Sequence, residues 1–202
     1  MATPPLIYVL NGPNLNLLGS GDARLFGAQT LDEIGATLAE RAKALGLKVE
    51  IRQSNHEGQL VDWLQEAMAK ASAVILNAGG YAHTSIAIRD AAGALQVPVI
   101  EVHLSNIYAR EHFRRQSFVA QVARGSIVGF GPLSYLLALD AAAQLCKGAA
   151  AKSARQIQSV SVGECKWPDR RNPSRAKPRK TATRKTAACG STPIWSASSP
   201  SC

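Results

Sequence analysis

The sequence predicts an α/β fold, a flavodoxin-like three-layer sandwich built around a five-stranded parallel sheet. Short apolar runs alternate with amphipathic helical stripes over the first three quarters of the chain, and polar residues follow several of these runs directly. Strands that alternate with helices are typical of a parallel sheet covered on both faces. In such a sheet the ligand binds beyond the carboxyl ends of the strands, where the polar residues are expected to meet.

The first part of the chain contains a strand, a flexible loop and a capped helix. Residues 6–10 are an apolar run closed by the turn sequence NGPN. Residues 15–27 contain three glycines and predict a flexible loop. Thr30 and Glu33 then form a capping-box pattern, and the apolar stripe that follows predicts a helix ending at Gly46.

The middle of the chain repeats this alternation twice. KVEIRQ, residues 48–53, has the alternation of a strand, and an apolar stripe predicts a second helix that runs to about Ala71. Residues 73–76 predict a buried strand that ends in NAGG. A third helix is expected next, with Ile86, Ala87 and Ala91 on its apolar face.

The last elements of the sheet are predicted between residues 98 and 145. Residues 98–102 predict the fourth strand, residues 127–128 a short fifth strand, and residues 133–145 a closing apolar helix. Between the fourth and fifth strands, Arg110 and Arg114 have the i, i+4 spacing that places two guanidinium groups on one side of a helical turn.

The distribution of charge separates this domain from a tail. Residues 1–148 contain 12 Lys+Arg and 12 Asp+Glu, whereas residues 149–202 contain 11 basic and 2 acidic residues together with five Pro and nine Ser. The whole net charge of +9 therefore belongs to the tail. Such a composition buries too little apolar area to offset its ordering entropy. We predict a folded domain over residues 1–148 and a disordered basic tail over residues 149–202.

Three interpretations of the tail are open. It could bind nucleic acid through its positive charge, it could keep the protein in solution, or it could be out-of-frame sequence after a mutation near the end of the domain. Nucleic-acid binding is the less favoured, because no aromatic platform or groove-reading helix accompanies the charge. Three of the four cysteines lie in this tail without a metal-binding spacing.

The strand end at residues 101–105 is the first candidate site. Glu101, His103 and Ser105 occupy alternate positions, so on an extended backbone their side chains point to one face. An acid, a histidine and a hydroxyl at that place suit proton transfer, and the two arginines downstream suit a carboxylate or hydroxyl groups. The alternative is that the Glu–His pair only caps the end of the strand and that the arginines are solvent-exposed residues on a helix surface.

Several classes of protein are excluded by missing motifs. The first strand is not followed by GxGxxG, no P-loop motif occurs, and the histidines lack partners at metal-ligand spacing. The sequence therefore predicts a pocket without a metal or cofactor. Neither a signal peptide nor a membrane-spanning segment is recognisable, so we expect a cytoplasmic protein with no membrane partner.

Four separated motifs carry a resemblance to a known family. The segments NGPNLNLLG (11–19), QSNHEG (53–58), LNAGGYAHTSIAIRDA (76–91) and EVHLSNIYAREHFR (101–114) resemble type II 3-dehydroquinate dehydratases. The resemblance implies a flavodoxin-like subunit of a dodecamer, a tetramer of trimers. It also implies a hydro-lyase of the shikimate or quinate pathway, which converts 3-dehydroquinate to 3-dehydroshikimate through an enolate.

The resemblance also assigns roles to individual residues. His103 would be the general acid, Glu101 would orient its ring, and Asn14 would help to hold the enolate through water. Asp90 would reach into the site of a neighbouring subunit. The remaining positions would bind the ring hydroxyls and the carboxylate of a small-molecule substrate. Those remaining positions are Asn77, His83, Leu104, Ser105 and Arg114.

One loop departs from the family pattern. Where the family has LGxREPxxYG, this chain has LGSGDARLFG, so that Gly21 replaces the arginine and Phe26 the tyrosine that acts as base. Phe26 has no ionisable hydroxyl, and Arg24 nearby could restore charge but no base. Two hypotheses follow: an enzyme of this family with reduced activity, or a non-catalytic paralogue that binds dehydroquinate-like acids.

Overall fold

Five parallel strands form one sheet at the centre of the protein. In a computed structural model the strands are ordered β2-β1-β3-β4-β5 and run in parallel. This is the predicted flavodoxin-like order, with β3 in the middle. The strands are β1 (Leu6–Asn11), β2 (Lys48–Gln53), β3 (Ala73–Asn77), β4 (Val99–His103) and β5 (Gly125–Val128).

The structure describes residues 3–20 and 28–159, and for residues 149–159 it describes the backbone alone. Four α-helices connect or follow the strands, and short 3-10 turns lie at the ends of β1, β3 and β4. The helices are α1 (Leu31–Leu45), α2 (Glu57–Lys70), α3 (Ile86–Gly93) and α4 (Leu133–Ser159). The 3-10 turns span Leu15–Leu17, Gly79–His83, Ile107–Ala109 and His112–Arg114.

The sheet is buried on both faces because the side chains of its strands alternate between two cores. In β1, Ile7 and Val9 pack in one core with α1 and α4, whereas Tyr8 and Leu10 pack in the other with α2 and α3. The central strands are therefore apolar at almost every position. This is the composition of a fully covered parallel sheet, and the predicted three-layer sandwich is confirmed.

The helix starts and ends predicted from capping signals are confirmed in α1. The Thr30 side chain accepts a hydrogen bond from the Glu33 N–H, and the Glu33 carboxylate accepts one from the Thr30 N–H. At the other end, Gly46 terminates the helix in the left-handed conformation. The predicted apolar face of α3 is wrong. Its buried residues are Ile88 and Ala92, and Ile86 is exposed.

Two further elements differ from the prediction. Arg110 and Arg114 do not share an α-helix, because two separate 3-10 turns carry this segment. The closing helix continues past residue 145 to Ser159. Residues 149–159 are rich in Ala, Lys, Gln and Arg, which are good helix formers, so the backbone stays helical beyond the apolar stripe.

Some predictions fall outside the described residues. These are the loop positions Gly21 and Phe26 and the tail from residue 160 onward. All described residues belong to the first of two units into which the chain divides, residues 1–161. Among the described helices, none combines the length and the apolar character that crossing a bilayer requires.

Candidate active site

A pocket of about 280 Å³ lies beyond the carboxyl ends of β1, β3 and β4. It is found where the sheet topology predicts a ligand, because the strand order reverses between β1 and β3. The lining is rich in imidazole, guanidinium and amide groups, and no carboxylate belongs to it among residues 3–20 and 28–148. It is formed by Pro13, Asn14, Leu15, Leu18, Asn77, Gly79, Gly80, His83, His103, Leu104, Ser105, Ile107, Arg110 and Arg114.

Two glycines bring the ends of β1 and β3 close together. A Cβ atom at Gly12 would lie 2.3 Å from the Ala78 carbonyl oxygen, so no side chain fits there. Gly79 has a φ of +58°, which favours glycine, and a Cβ atom there would lie 3.1 Å from the Pro13 carbonyl oxygen. The close approach of these two turns places Asn14 and Asn77 on one wall of the pocket.

Asn14 is held in an unusual backbone conformation. Its φ of 67° is left-handed, a region that asparagine enters more easily than most residues. The Asn14 N–H donates to Asn55 Oδ1 at 3.0 Å, and the Gln53 side-chain amide donates to the same oxygen at 2.9 Å. The Tyr81 hydroxyl donates to the Asn55 carbonyl at 2.9 Å. Asn55 therefore connects Asn14 to β2 and to the turn after β3.

Asn77 is fixed from behind by a buried tyrosine. Its Nδ2 donates to the Tyr135 hydroxyl at 2.8 Å, and that hydroxyl donates in turn to Asn11 Oδ1. The Gly79 N–H donates to Asn77 Oδ1 at 3.3 Å. Burial raises the pKa of Tyr135 well above its ordinary value, so its hydroxyl stays protonated and can donate. The orientation of the Asn77 amide is thus determined by its neighbours.

His103 and Glu101 form a buried pair at the end of β4. Glu101 Oε1 accepts a hydrogen bond from His103 Nε2 at 2.9 Å, and both side chains are almost completely inaccessible to solvent. The Ser117 and Ser126 hydroxyls also donate to this carboxylate. Burial alone would raise the pKa of Glu101, but the His103 hydrogen bond and charge and the two hydroxyls outweigh it, so its pKa lies below the ordinary value. Glu101 is therefore ionised and fixes the ring of His103.

His83 stacks on His103 across the pocket. The ring centroids are 5.8 Å apart and the planes are inclined by 19°. His83 Nδ1 lies 2.7 Å from the Gln116 carbonyl oxygen, so Nδ1 carries the proton and Nε2 is the acceptor. Burial lowers the pKa of His83, and the nearby His103 and Arg114 lower it further. A neutral His83 can accept a hydrogen bond from a ligand hydroxyl.

Two arginines, Arg110 and Arg114, supply positive charge to the pocket lining. Arg110 Nε and Arg114 Nε each lie 3.4 Å from Glu111 Oε2, which neutralises part of their charge. Arg114 Nε is buried and forms no hydrogen bond within the described part of the chain. The guanidinium of Arg114 lies above the ring of Phe113. The two arginines stay on the pocket side although no continuous helix joins them.

The structure brings most of the predicted site residues together. Asn14, Asn77, His83, His103, Leu104, Ser105 and Arg114 all line the pocket. Glu101 lies behind His103 and is not a lining residue. Asp90 is exposed on α3, is paired with Arg89 at 2.6 Å, and does not line this pocket. Gly21 and Phe26 lie outside the described residues.

The arrangement favours acid–base chemistry on an oxygen-rich anion. A histidine braced by a buried carboxylate can move a proton, and the amides, the second imidazole and the arginines can hold hydroxyl and carboxylate groups. Within residues 3–20 and 28–148, no three His, Cys, Asp or Glu side chains lie where they could hold a metal ion together.

Comparison with known proteins identifies the family. The family model for class II dehydroquinases matches residues 5–143, more than half of the chain. The chain belongs to the class II dehydroquinase family. The 3-dehydroquinate dehydratase of Phenylobacterium zucineum is 54% identical over 141 residues, a match that covers 70% of this chain and 97% of that protein.

Solved structures of dehydroquinases agree with this assignment. The type II dehydroquinase from Propionibacterium acnes superposes with a TM-score of 0.68 at 42% identity, covering 71% of this chain and 98% of that one. A 3-dehydroquinate dehydratase-like protein from Bifidobacterium longum gives a TM-score of 0.55 at 34% identity, with 71% and 98% covered. The family model matches residues 5–143, which lie within the patterned part of the chain.

Sequence reasoning missed the residues that brace this dehydroquinase site from behind. Asn55, Ser117, Ser126 and Tyr135 each bond to a predicted site residue or its backbone, from segments far away along the chain. Asn55 lies inside the QSNHEG motif and could have been singled out there. The two serines and the tyrosine carry no local signal, because only the packing of the strands and α4 brings them to the site.

Proposed function

We propose that this chain catalyses the dehydration of 3-dehydroquinate to 3-dehydroshikimate through an enolate, at a rate below that of a family member with the usual loop. The observation that carries the proposal is the His103–Glu101 pair opening into a pocket of amide, imidazole and guanidinium groups. Its relatives' names support the substrate, a small polyhydroxylated acid. No cofactor is needed for this elimination.

His103 is the general acid of the proposed reaction. It protonates the departing C1 hydroxyl, and Glu101 keeps the ring oriented throughout. The buried 2.9 Å contact between Nε2 and Oε1 supports this, because the carboxylate holds Nε2–H and the protonated imidazole then presents its second proton, on Nδ1, to the pocket. Asn14 holds the enolate through a water molecule, and its constrained backbone suits a group that must not move during the reaction.

The remaining pocket residues bind the substrate. Asn77, His83 and Arg114 hold ring hydroxyls, whereas Leu104 and Ser105 receive the carboxylate through backbone N–H groups and a hydroxyl. The fixed orientation of the Asn77 amide and the neutral His83 ring support this division of roles. Among the described residues of the chain itself, no carboxylate lines the pocket, so the groups that this chain presents there to a substrate anion are neutral or positive.

The reduced rate follows from the loop sequence. Gly21 and Phe26 stand where the family pattern has the arginine and tyrosine, so the base that removes the C2 proton is missing. Loss of a general base costs about two to four orders of magnitude in rate. A positioned water molecule is the replacement that requires no further side chain.

A direct assay of the purified full-length chain tests the proposal. 3-Dehydroquinate is added, and the ultraviolet absorbance of the conjugated enone product is followed. We expect slow turnover that His103→Ala abolishes and that His112→Ala leaves unchanged, because His112 is exposed and does not line the pocket. Turnover that survives His103→Ala would contradict the assignment of the general acid.

The loop sequence also favours a second candidate, a non-catalytic paralogue that binds dehydroquinate-like acids. Substrate recognition does not depend on Gly21 or Phe26 in this scheme, since the proposed binding residues lie elsewhere. Isothermal titration calorimetry with 3-dehydroquinate distinguishes the two candidates. Saturable binding without any turnover would support the binding protein and overturn the enzyme.

We further propose a cytoplasmic homo-oligomer, a dodecamer assembled from trimers, in which Asp90 completes the site of a neighbouring subunit. Asp90 is well exposed and does not line the pocket of its own chain, which is expected of a residue that acts across an interface. Light scattering of the purified chain measures the assembly, and a monomer at working concentration would contradict it.

A further inference from the structure

Glu101 has two carboxylate oxygens, and the structure uses them differently. Oε1 accepts hydrogen bonds from both His103 and Ser117. Oε2 accepts from Ser126 at 2.6 Å, the one donor to that oxygen in the described part of the chain. Glu101 is 0% exposed, so solvent water does not reach the side chain in this conformation. The solvation of Oε2 therefore depends on a single hydroxyl.

The register of the sheet places that hydroxyl. Ser126 is the direct partner of Glu101 in the parallel pairing of β4 with β5, so the two side chains leave the sheet on the same face. A register shift of one residue would bring Gly125 or Ile127 beside the carboxylate, and neither has a side-chain donor. β5 thus contributes to the site although none of its residues lines the pocket.

The two serines are not equivalent. The Ser117 oxygen accepts a bond from the Ala120 N–H at 3.1 Å, so its position is tied to the loop after the 3-10 turn His112–Arg114. Its hydroxyl donates to Oε1, the same oxygen that accepts the hydrogen bond from His103 Nε2. Ser126 holds the opposite oxygen, and a planar carboxylate fixed at both ends cannot turn about its last bond.

We propose that Ser126 is a positioning residue of the active site, which acts through Glu101 to keep the carboxylate oriented toward His103. This inference rests on the proposed function, in which His103 is the general acid. The reason is physical: a buried carboxylate keeps its charge when several donors bond to it, and an oxygen left without a donor favours the protonated form. A protonated or rotated Glu101 no longer fixes the His103 ring.

Few other charges act on this carboxylate. On β4 the neighbouring titratable group is His103 itself. His83 stacks on the far side of that ring, and Arg114 and Arg110 face the pocket from the two 3-10 turns after β4. β5 presents Ser126, which carries no charge. Removal of the hydroxyl therefore changes the hydrogen bonding of Glu101 without changing any charge around it.

Valine and threonine at position 126 give a matched test. They have nearly the same shape and both suit a strand, so Ser126→Val and Ser126→Thr differ by the hydroxyl alone. In the full-length chain we expect the acid limb of the pH profile of kcat/KM to move upward by about one pH unit in the valine variant. On the acid side of the limb this lowers kcat/KM about tenfold, while the threonine variant follows the wild type.

A second measurement does not need turnover. Infrared spectra of protein labelled with ¹³C-glutamate report the protonation of carboxyl groups, and the difference between the two variants isolates Glu101. We expect its protonation midpoint to be higher in the valine variant. If the wild type shows no turnover, the proposed function fails, and this infrared titration still decides whether Ser126 controls Glu101.

The outcomes that overturn the inference are distinct. Identical infrared titrations of the valine and threonine variants would show that Ser126 does not control the carboxylate. A shifted titration with an unshifted acid limb in an active enzyme would show that the bond has no part in positioning His103. Thermal unfolding of both variants checks that a rate difference does not come from a misfolded strand.

Discussion

The buried hydroxyl of Tyr135 lies between the side chains of Asn77 and Asn11 and forms a hydrogen bond with each of them. All three side chains are buried, so no solvent is available to replace a lost bond. A buried polar group without a partner costs about 1–3 kcal/mol. The buried Asn77 amide would destabilise the fold if it had no partner, and its hydrogen bond to the Tyr135 hydroxyl removes that penalty.

Tyr135→Phe removes that hydroxyl and little else. We expect the free energy of unfolding to fall by about 1–3 kcal/mol, because two buried amides lose a partner. We also expect KM to rise more than kcat falls, since Asn77 is a proposed binding residue and not the acid. Urea unfolding and steady-state kinetics measure the two effects. Tyr108→Phe is the control, because Tyr108 is exposed, and equal losses in both variants would contradict the explanation.

Gly21 and Phe26 stand where the family pattern has an arginine and a tyrosine, and restoring those two residues should change the catalytic rate. The double change Gly21→Arg with Phe26→Tyr restores the family pattern LGxREPxxYG at the two positions proposed to limit catalysis. We expect kcat to rise by about tenfold or more, because a general base contributes about two to four orders of magnitude. The ultraviolet assay measures it.

The single variants separate the two roles in this loop. Phe26→Tyr alone should gain less than the double variant, because the phenol needs the nearby positive charge to ionise at neutral pH. Phe130→Tyr controls for an added phenol on an exposed phenylalanine that does not line the pocket. An unchanged rate in the double variant would mean that the loop does not limit this enzyme.

The capping box of Thr30 and Glu33 determines where helix α1 begins. Thr30→Ala removes the capping box and should lower the free energy of unfolding by about 1 kcal/mol. Thr37→Ala in the same helix is the matched control. Its hydroxyl bonds back to the Glu33 carbonyl, and alanine is the better helix former, so we expect no loss there. Chemical denaturation compares them, and equal losses would contradict the capping account.

The elements that the sequence predicts well are those with local signals. The capping box and Gly46 define α1, and apolar runs define β1, β3 and β4. The apolar face of α3 was predicted wrongly because its eight residues are mostly small or apolar, and contact with the rest of the fold decides which of them are buried. The segment from 107 to 114 forms 3-10 turns although its spacing is helical.

The predictability of the site follows the same division. Polar residues that come directly after a strand, such as Asn77 and Ser105, are placed by topology alone, because parallel strands end at one edge. Ser126 and Tyr135 could not be predicted, because their role depends on the β4–β5 register and on the packing of α4. The sequence thus indicates the residues that face the ligand, and the tertiary structure determines what holds them.

At the scale of the whole molecule, one chain does not contain all of the proposed site. Asp90 lies on the exposed side of α3 and is proposed to act in a neighbour. A site would then combine the pocket of one subunit with Asp90 of another. Two defective variants can test this, because each retains the part that the other lacks. Asp90→Ala keeps its own pocket, and His103→Ala keeps Asp90.

Mixing these two variants should restore activity. If subunits are mixed by joint refolding in equal amounts, about one quarter of the sites combine an intact pocket with an intact Asp90, since assembly in a symmetric oligomer is random with respect to the variants. We expect turnover at about a quarter of the wild-type rate, whereas each variant alone is inactive. Light scattering confirms that the mixed sample has the same assembly. Mixed oligomers as inactive as their parents would mean that Asp90 acts within its own chain or not at all.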